Sequence, residues 1–456
     1  MKKLWVMALG SAALLLQTAS LYAAEIKFEG DFRVRGIYTN NLSDANKSTP
    51  DEQAFADGRF RLKTTATAGI TSGVVVLDFT SAFPDPTVPS GACGTCTTGN
   101  YRFGTANFGG SYNIVGVREA HLDLDLHFAR LVLGRQAIKL GHSLILDDTV
   151  DAIVAKFMVG PAHAMLADAK LFESNGLAHP TGGATGSDTD LYIAKIGFSH
   201  EDMHNLGIFA TYFNDRNPTF LPAPAGTSDK TTFWTVGVTA DGRFGPINLG
   251  AELDYLSGTA DVTAGTSTDL RGWNALVNAG LKVAMVDVGV TGLYTSGQKN
   301  ENKINVNGIS GDFVLANILV NDNVNSDREG QCASIGGARF GSGGASCVGG
   351  LGILAVKVSG AIDGLLPMWK GSRSEIAAIW AQTAEEQFVT VGPTTVTGKK
   401  DLGIEVDLNH RQKLDDNVAV NVNLGYLFVG DFFKGPGGAG PGDEMYKGII
   451  SVNYMF

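Results

Sequence analysis

The sequence predicts an all-β protein: a closed transmembrane antiparallel β-barrel of 18 strands (16 on the alternative count), with short periplasmic turns and long extracellular loops. Three observations carry that expectation. Apolar and charged residues alternate with a period of two along segments of ten residues or more. The links between those segments are alternately short and long. Past residue 24 no apolar run has the length of a spanning helix, which needs about 20 residues.

The first segment sets the pattern. Ile26, Phe28, Gly30, Phe32, Val34, Gly36 and Tyr38 fall on one face, and Lys27, Glu29, Asp31, Arg33 and Arg35 on the other. A soluble sandwich strand is usually about half as long, whereas a tilted membrane-spanning strand needs roughly 9–11 residues. The pattern recurs. Phe60, Leu62 and Ala66 oppose Arg59, Arg61 and Lys63; Ala120, Leu122 and Leu124 oppose Glu119, His121, Asp123 and Asp125. Leu249, Leu253 and Tyr255 oppose Glu252 and Asp254, and Val420, Val422 and Leu424 oppose Asn421 and Asn423. Charges repeated along one face are costly in a packed core and natural on a wet lumen wall.

Short links fall near 69–72, 127–129, 160–161, 200–204, 241–246, 283–285, 364–372 and 412–417. Long ones fall near 40–53, 84–112, 140–150, 175–188, 215–230, 257–270, 297–350, 385–400 and 431–443. With the chain starting in the periplasm, every short link lies inside and every long one outside, which yields an even strand count without imposing it. The least regular part is 351–400, read as strands 351–361 and 373–384 around a turn containing Pro367. Tyr38, Phe83, Tyr255, Tyr294, Phe432 and Phe433 lie near strand ends, where interfacial aromatic girdles form.

Lys2 and Lys3, the apolar stretch Leu4–Leu16 and the small residues Ala23 and Ala24 read as a cleaved export signal over 1–24, leaving the barrel as 25–456. The net charge of −11 becomes −11 − 2 = −13 once Lys2 and Lys3 are gone, so a basic nucleic-acid footprint is absent. Cys93/Cys96 and Cys332/Cys347 form two local pairs, and an oxidising compartment makes two disulfides the expectation. Cys93-Gly94-Thr95-Cys96 has redox spacing, but Thr97 stands where haem attachment needs His, and the loop around it is rich in Gly, Pro and Thr. No metal site, cofactor or catalytic residue is expected; His121, His127, His142 and His163 are scattered without a nucleophile motif.

Val117-Arg118-Glu119-Ala120-His121-Leu122-Asp123-Leu124, then Leu133-Gly134-Arg135-Gln136 and the acidic stretch Asp147-Asp148-Thr149-Val150-Asp151, resemble the alginate-export family of outer-membrane porins. The likeness is clearest over 113–160. It implies an 18-stranded outer-membrane barrel that conducts solutes, held in lipid and lipopolysaccharide. The alternation Gly448, Ile450, Val452, Tyr454 to the terminal Phe456 is similar to the signal read by the barrel-assembly machinery.

On that expectation the lumen is lined by a basic stripe of Lys27, Arg33, Arg35, Arg59, Arg61, Lys63 and Lys447. Acidic patches face it: Glu29, Asp31, Glu119, Asp123, Asp125, Glu252, Asp254, Asp287, Glu405 and Asp407. A mixed lumen favours small polar or charged solutes, such as saccharides or organic acids, over a dedicated polyanion conduit. Arg135 shares parity with the lipid-facing Leu131 and Leu133; a bulge at Gly134 is expected to turn it inward, toward Glu119 or Asp123. Arg118 poses the same problem. The apolar content of loop 297–350 (Ile304, Val306, Ile309, Phe313, Val314, Leu315, Ile318 and Leu319) fits a constriction folded into the lumen or an external flap. Two other classes share the fold: a sleeve or docking barrel for a partner such as an electron-transfer haem protein, and an outer-membrane hydrolase.

Overall fold

The computed structural model describes residues 24–42, 45–48, 52–82, 106–107, 113–172, 189–200, 204–216, 228–262, 266–297, 304–305, 313–320, 351–364, 371–386, 388–391, 394–434 and 442–456. Eighteen long strands build one ring: β1 (Glu25–Asn40), β2 (Gln53–Ala68), β3 (Thr71–Ala82), β4 (Asn113–Asp125), β5 (Ala129–Leu140), β6 (Leu146–Val159), β7 (Ala162–Phe172), β8 (Thr189–His200), β9 (His204–Asp215), β10 (Ser228–Phe244), β11 (Ile247–Val262), β12 (Thr266–Val283), β13 (Val286–Thr295), β14 (Ile353–Asp363), β15 (Ser372–Thr383), β16 (Asp401–Lys413), β17 (Val418–Val429) and β18 (Met445–Met455). Each pairs antiparallel with its predecessor, and β18 returns to β1 with Asp31 opposite Met455 and Asn40 opposite Tyr446. The count is therefore 18, and 16 is ruled out. Among the described residues no helix is long and apolar enough to cross a membrane.

Closure satisfies the backbone groups that an open sheet would leave bare in lipid. The last residue takes part: Gly30 and Phe456 exchange both N–H···O bonds at 3.0 Å. The Phe456 ring lies over Gly30, where a Cβ would sit 2.6 Å from it, so glycine is required there. The outward faces are apolar and uncovered, as at Phe28 (59 % exposed), Leu206 (58 %) and Ile376 (60 %), which is what acyl chains solvate. Aromatic contacts on neighbouring strands, such as Tyr38–Tyr446, Trp234–Tyr255 and Trp273–Tyr294, gather toward the long-loop rim.

Two expected loops are different objects. The stretch 257–270 is mostly strand: β11 runs to Val262 and β12 starts at Thr266, with Thr259 opposite Asp269. Its Ser, Thr, Gly and Asp residues are polar on both faces, so the ladder continues while the hydrophobic pattern that reveals it has ended. The stretch 140–150 is not an external loop but the tip of an inward hairpin. β5 pairs with β4 only from Arg130 to Arg135, and β6 pairs with β7 only from Asp151 to Val159. Residues 136–150 leave the wall and pair only with one another. Gly134 marks the departure at φ +116°, with a virtual Cβ 2.5 Å from the Ala120 carbonyl oxygen. A two-residue strand, Ala106–Asn107, pairs with Val115 and Ile114 on the β4 edge that β5 vacates.

Candidate functional site

Two segments fold into the lumen and meet there. The β5–β6 tip carries Leu140 and Leu144, both fully buried, and the segment 313–320 carries Leu315, Ile318, Leu319 and Val320. Leu144 and 313–320 share one apolar cluster with Ile353, Ile379, Leu402 and Leu427 of the wall. Between a flap and a constriction for the long loop, the described part is a constriction. Its turn is closed by the Leu315 and Ala316 N–H groups, which both donate to the Val320 carbonyl (2.8 and 3.0 Å).

Carboxylates on the wall dock both segments. Glu405 accepts the Ile318 N–H (2.7 Å) and the Leu319 N–H (2.8 Å), and Asp407, two residues along the same face of β16, accepts the Asn317 N–H (3.1 Å). Exposed peptide N–H groups at a tight turn suit a carboxylate, and such bonds are stronger than neutral ones. Asn317 lies against Gly425, where any side chain would displace it. On the other side, Glu252 accepts both the backbone N–H and the Nδ1–H of His142 (the latter 3.0 Å), while His142 Nε2 meets Asp241 (2.8 Å). Both ring nitrogens donate to carboxylates, so the imidazole is held as a cation. Its pKa is pushed up to about 9, first by the Glu252 bond and then by Asp241, against burial, which lowers it. Glu252, Glu405 and Asp407, expected as pore lining, are buried anchors for the two segments.

The basic stripe is largely neutralised by cross-strand partners. Arg35 pairs with Asp57 (Nε–Oδ1 2.9 Å), Arg59 with Asp31 (2.7 Å) and Arg61 with Asp78 (2.7 Å). Glu29 takes Lys27 (2.6 Å) and Lys63 (3.4 Å). Asp287 belongs to a four-charge network with Lys282, Asp363 and Arg373 near the short-turn rim. Asp123 is held by Arg130, and His121 Nδ1 approaches the Arg135 carbonyl (3.2 Å) with Glu119 3.9 Å away. Asp125 caps the 126–128 turn through the His127 N–H. Asp254 is buried beside Glu252, and Lys447 is buried opposite Thr39 and Gly425.

What remains lies below the Asn317 contact, on β1 and β15–β18. A cavity of about 350 Å³ is lined there by Arg33, Arg35, Arg373, Glu375, Arg411 and four asparagines, Asn409, Asn421, Asn423 and Asn453, with Ser451. One cross-strand row runs Arg35, Ser451, Asn421, Arg411, Arg373; the next places Arg33 beside Asn453. Among the described residues Arg33 and Arg411 pair with no carboxylate, and Arg33 Nε is buried without an acceptor. The sequence reading missed Arg373, Arg411, Asn409 and Asn453, although Asn409 and Arg411 share the β16 face of Glu405 and Asp407 and that parity could have found them. Asn317 carried no sequence signal at all.

Three expectations need correction. Arg135 does not turn inward: pairing from Leu133 to Asp151 runs without a shift, Arg135 keeps the outward parity, and it pairs with Asp151 (2.9 Å) where the hairpin leaves the wall. The parity-changing bulge is one strand earlier. Val76 pairs with Glu119 and Leu77 with Val117, so Arg118 is the extra residue and Glu119 faces the lumen. Phe432 is buried in the apolar cluster behind the constriction rather than in a girdle. Cys93, Cys96, Cys332, Cys347, Phe83 and the export signal lie outside the described residues.

The described arrangement defines a class: a closed 18-stranded barrel, apolar outside, with a polar lumen narrowed by two inward segments. Solved structures with this fold are found at low sequence identity. OpdK of Pseudomonas aeruginosa, crystallised with vanillate, is 11% identical with a TM-score of 0.53, covering 94% of this chain and 98% of its own. OccAB1 of Acinetobacter baumannii is 10% identical with a TM-score of 0.54, covering 94% and 96%. A BenF-like porin from Pseudomonas fluorescens Pf-5 is 11% identical with a TM-score of 0.54, covering 95% and 98%. No family model matches the chain. No curated protein matches it either. The likeness to the alginate-export family therefore stands only as far as the porin-like barrel; these structural neighbours are not alginate exporters.

Proposed function

We propose that this chain is an outer-membrane channel through which small anionic organic solutes diffuse passively. The observation that carries the reading is the pair of uncommitted guanidinium groups, Arg33 and Arg411, facing a cavity directly beneath the constriction. Most acids on the wall are already engaged by arginine, lysine, histidine or peptide N–H groups, so the local field at the cavity is positive although the chain is acidic overall. A charged, narrowed and wet path selects by size and sign and needs no catalytic group. The vanillate in OpdK is a small carboxylate, which supports an organic anion by analogy.

On this reading residues 1–24 are the export signal, Phe456 is the handle for barrel assembly, lipid and lipopolysaccharide surround the outer face, and the four cysteines close two loop disulfides. Two inward segments meeting in the lumen count against a sleeve for a partner protein. Ser374 and His410 (Oγ–Nδ1 2.8 Å) alternate along their strands with the lumen-facing Arg373 and Arg411, and the pair gives the hydrolase reading no support. Planar bilayers test the proposal. Stepwise conductance with an anion-selective reversal potential is expected, and R33E/R411E shifts it toward cations. A chain that gives no steps, or cation selectivity before mutation, refutes it.

A further inference from the structure

Resting on the channel reading above, we infer that the cavity selects hydroxylated carboxylates of the sugar-acid type over carboxylates that carry no hydroxyl groups. The argument is a census of donors and acceptors. Asn421 and Asn453 each donate their NH₂ to Ser451 Oγ (3.2 and 3.3 Å). Asn423 and Asn317 donate theirs to Asn409 Oδ1 (2.7 and 3.1 Å). In that network the Asn317 NH₂ also donates to the Leu424 carbonyl (3.0 Å), which orients Asn409 and Asn423, while Asn421 and Asn453 turn their NH₂ to one shared hydroxyl. The network leaves the Oδ1 atoms of Asn421, Asn423 and Asn453 without a donor among the described residues.

Each of two such acceptors is the direct cross-strand neighbour of an uncommitted guanidinium: Asn453 beside Arg33 and Asn421 beside Arg411. Cross-strand neighbours stand about 4.5–5.5 Å apart, a separation that spans a carboxylate and a hydroxyl on a nearby carbon. The guanidinium takes the carboxylate, the amide oxygen takes the hydroxyl proton, and the pairing occurs twice. A carboxylate without hydroxyls satisfies the arginines but strips water from the amide oxygens with nothing in return. The lining contains no Phe, Tyr or Trp ring to hold a flat acid by stacking; its one imidazole, His410, is bonded to Ser374 (2.8 Å), and Ile449 is its one apolar side chain.

The test uses the full chain and two probes of equal charge and ring size, glucuronate and cyclohexanecarboxylate. Binding is measured by calorimetry in detergent and by current block in bilayers. Glucuronate is expected to bind about tenfold more tightly, the equivalent of two modest hydrogen bonds. N421A/N453A abolishes that preference, and N421S/N453S restores part of it. Equal binding of the two acids by the unmodified chain overturns the inference, as does a preference that survives N421A/N453A. If the double variant does not fold, the unmodified chain decides alone. Calorimetric preference without any current steps refutes the pore and leaves the selectivity standing; current without preference does the reverse.

Discussion

His142 latches the β5–β6 hairpin to the wall at β10 and β11, and that latch titrates. Its pKa of about 9, against an ordinary 6.5, corresponds to about 3 kcal/mol of preferential protonation in the docked state at 1.36 kcal/mol per pH unit. The side chain is about one-fifth exposed (22%), so screening reduces this to roughly 2 kcal/mol. The sign follows from the raised pKa. The stabilisation is complete below pH 6.5 and is lost as pH rises through about 9. At pH 10.5 the docked-to-undocked ratio should fall by roughly thirtyfold. The His142 N–H bond to Glu252 and the burial of Leu140 and Leu144 still hold part of the population. Single-channel recordings at pH 6, 7.5 and 10.5 are the assay. The unmodified chain should gain noise and larger open levels at the alkaline end, and H142A should show them already at pH 7.5 with little further change. Other groups titrate above pH 9, so H142A is the control that isolates the latch. A conductance insensitive to pH between 7.5 and 10.5, or an H142A profile that parallels the unmodified one, refutes the reasoning.

Glu405→Gln keeps one acceptor but points an NH₂ at one of the two peptide N–H groups it now satisfies, a loss of about 1–3 kcal/mol. Segment 313–320 should detach more often, read as wider current fluctuations and easier passage of larger neutral solutes in liposome swelling; unchanged permeability counts against the anchor. Gly134→Ala places a Cβ 2.5 Å from the Ala120 carbonyl at φ +116° and should sharply lower the yield of heat-modifiable folded barrel. Gly160→Ala, at φ +59° with nothing within 4 Å, should cost only about 1 kcal/mol and fold normally. Equal yields for the two remove the claim that Gly134 shapes the hairpin.

The ring was legible because its rule is short-range. A strand between lipid and water repeats every two residues, and each hairpin reverses it, so β1 and β2 declare themselves through Phe28, Phe32, Phe60 and Leu62 without reference to any other part of the chain. The lumen was not legible in that way. Nothing near Asn317 reveals that its N–H meets Asp407, 90 positions away, and nothing near His142 reveals Glu252, 110 positions away. Parity reasoning also cannot locate a bulge. The sequence pointed to a bulge at Gly134, and only the pairing of Val76 with Glu119 and Leu77 with Val117 shows that the extra residue is Arg118.

The acidic residues show why a count of charges along strands misleads about a pore. Glu405, Asp407 and Glu252 look like an anion-repelling ring when written on their strands. In the folded wall they are the acceptors on which the constriction is built, and each N–H they receive removes negative potential from the path. Arg59 and Arg61 lose their reach in the same way to Asp31 and Asp78. Among the described residues that line the cavity, the charges left over are Arg33 and Arg411. Their positions follow from the register of β18 with β1 and of β16 with β17, not from the abundance of either sign. Selectivity in such a channel is therefore set by which ionised groups lack a partner, and shifting either register by one residue would turn Arg33 or Arg411 toward lipid and leave the same composition with a different pore.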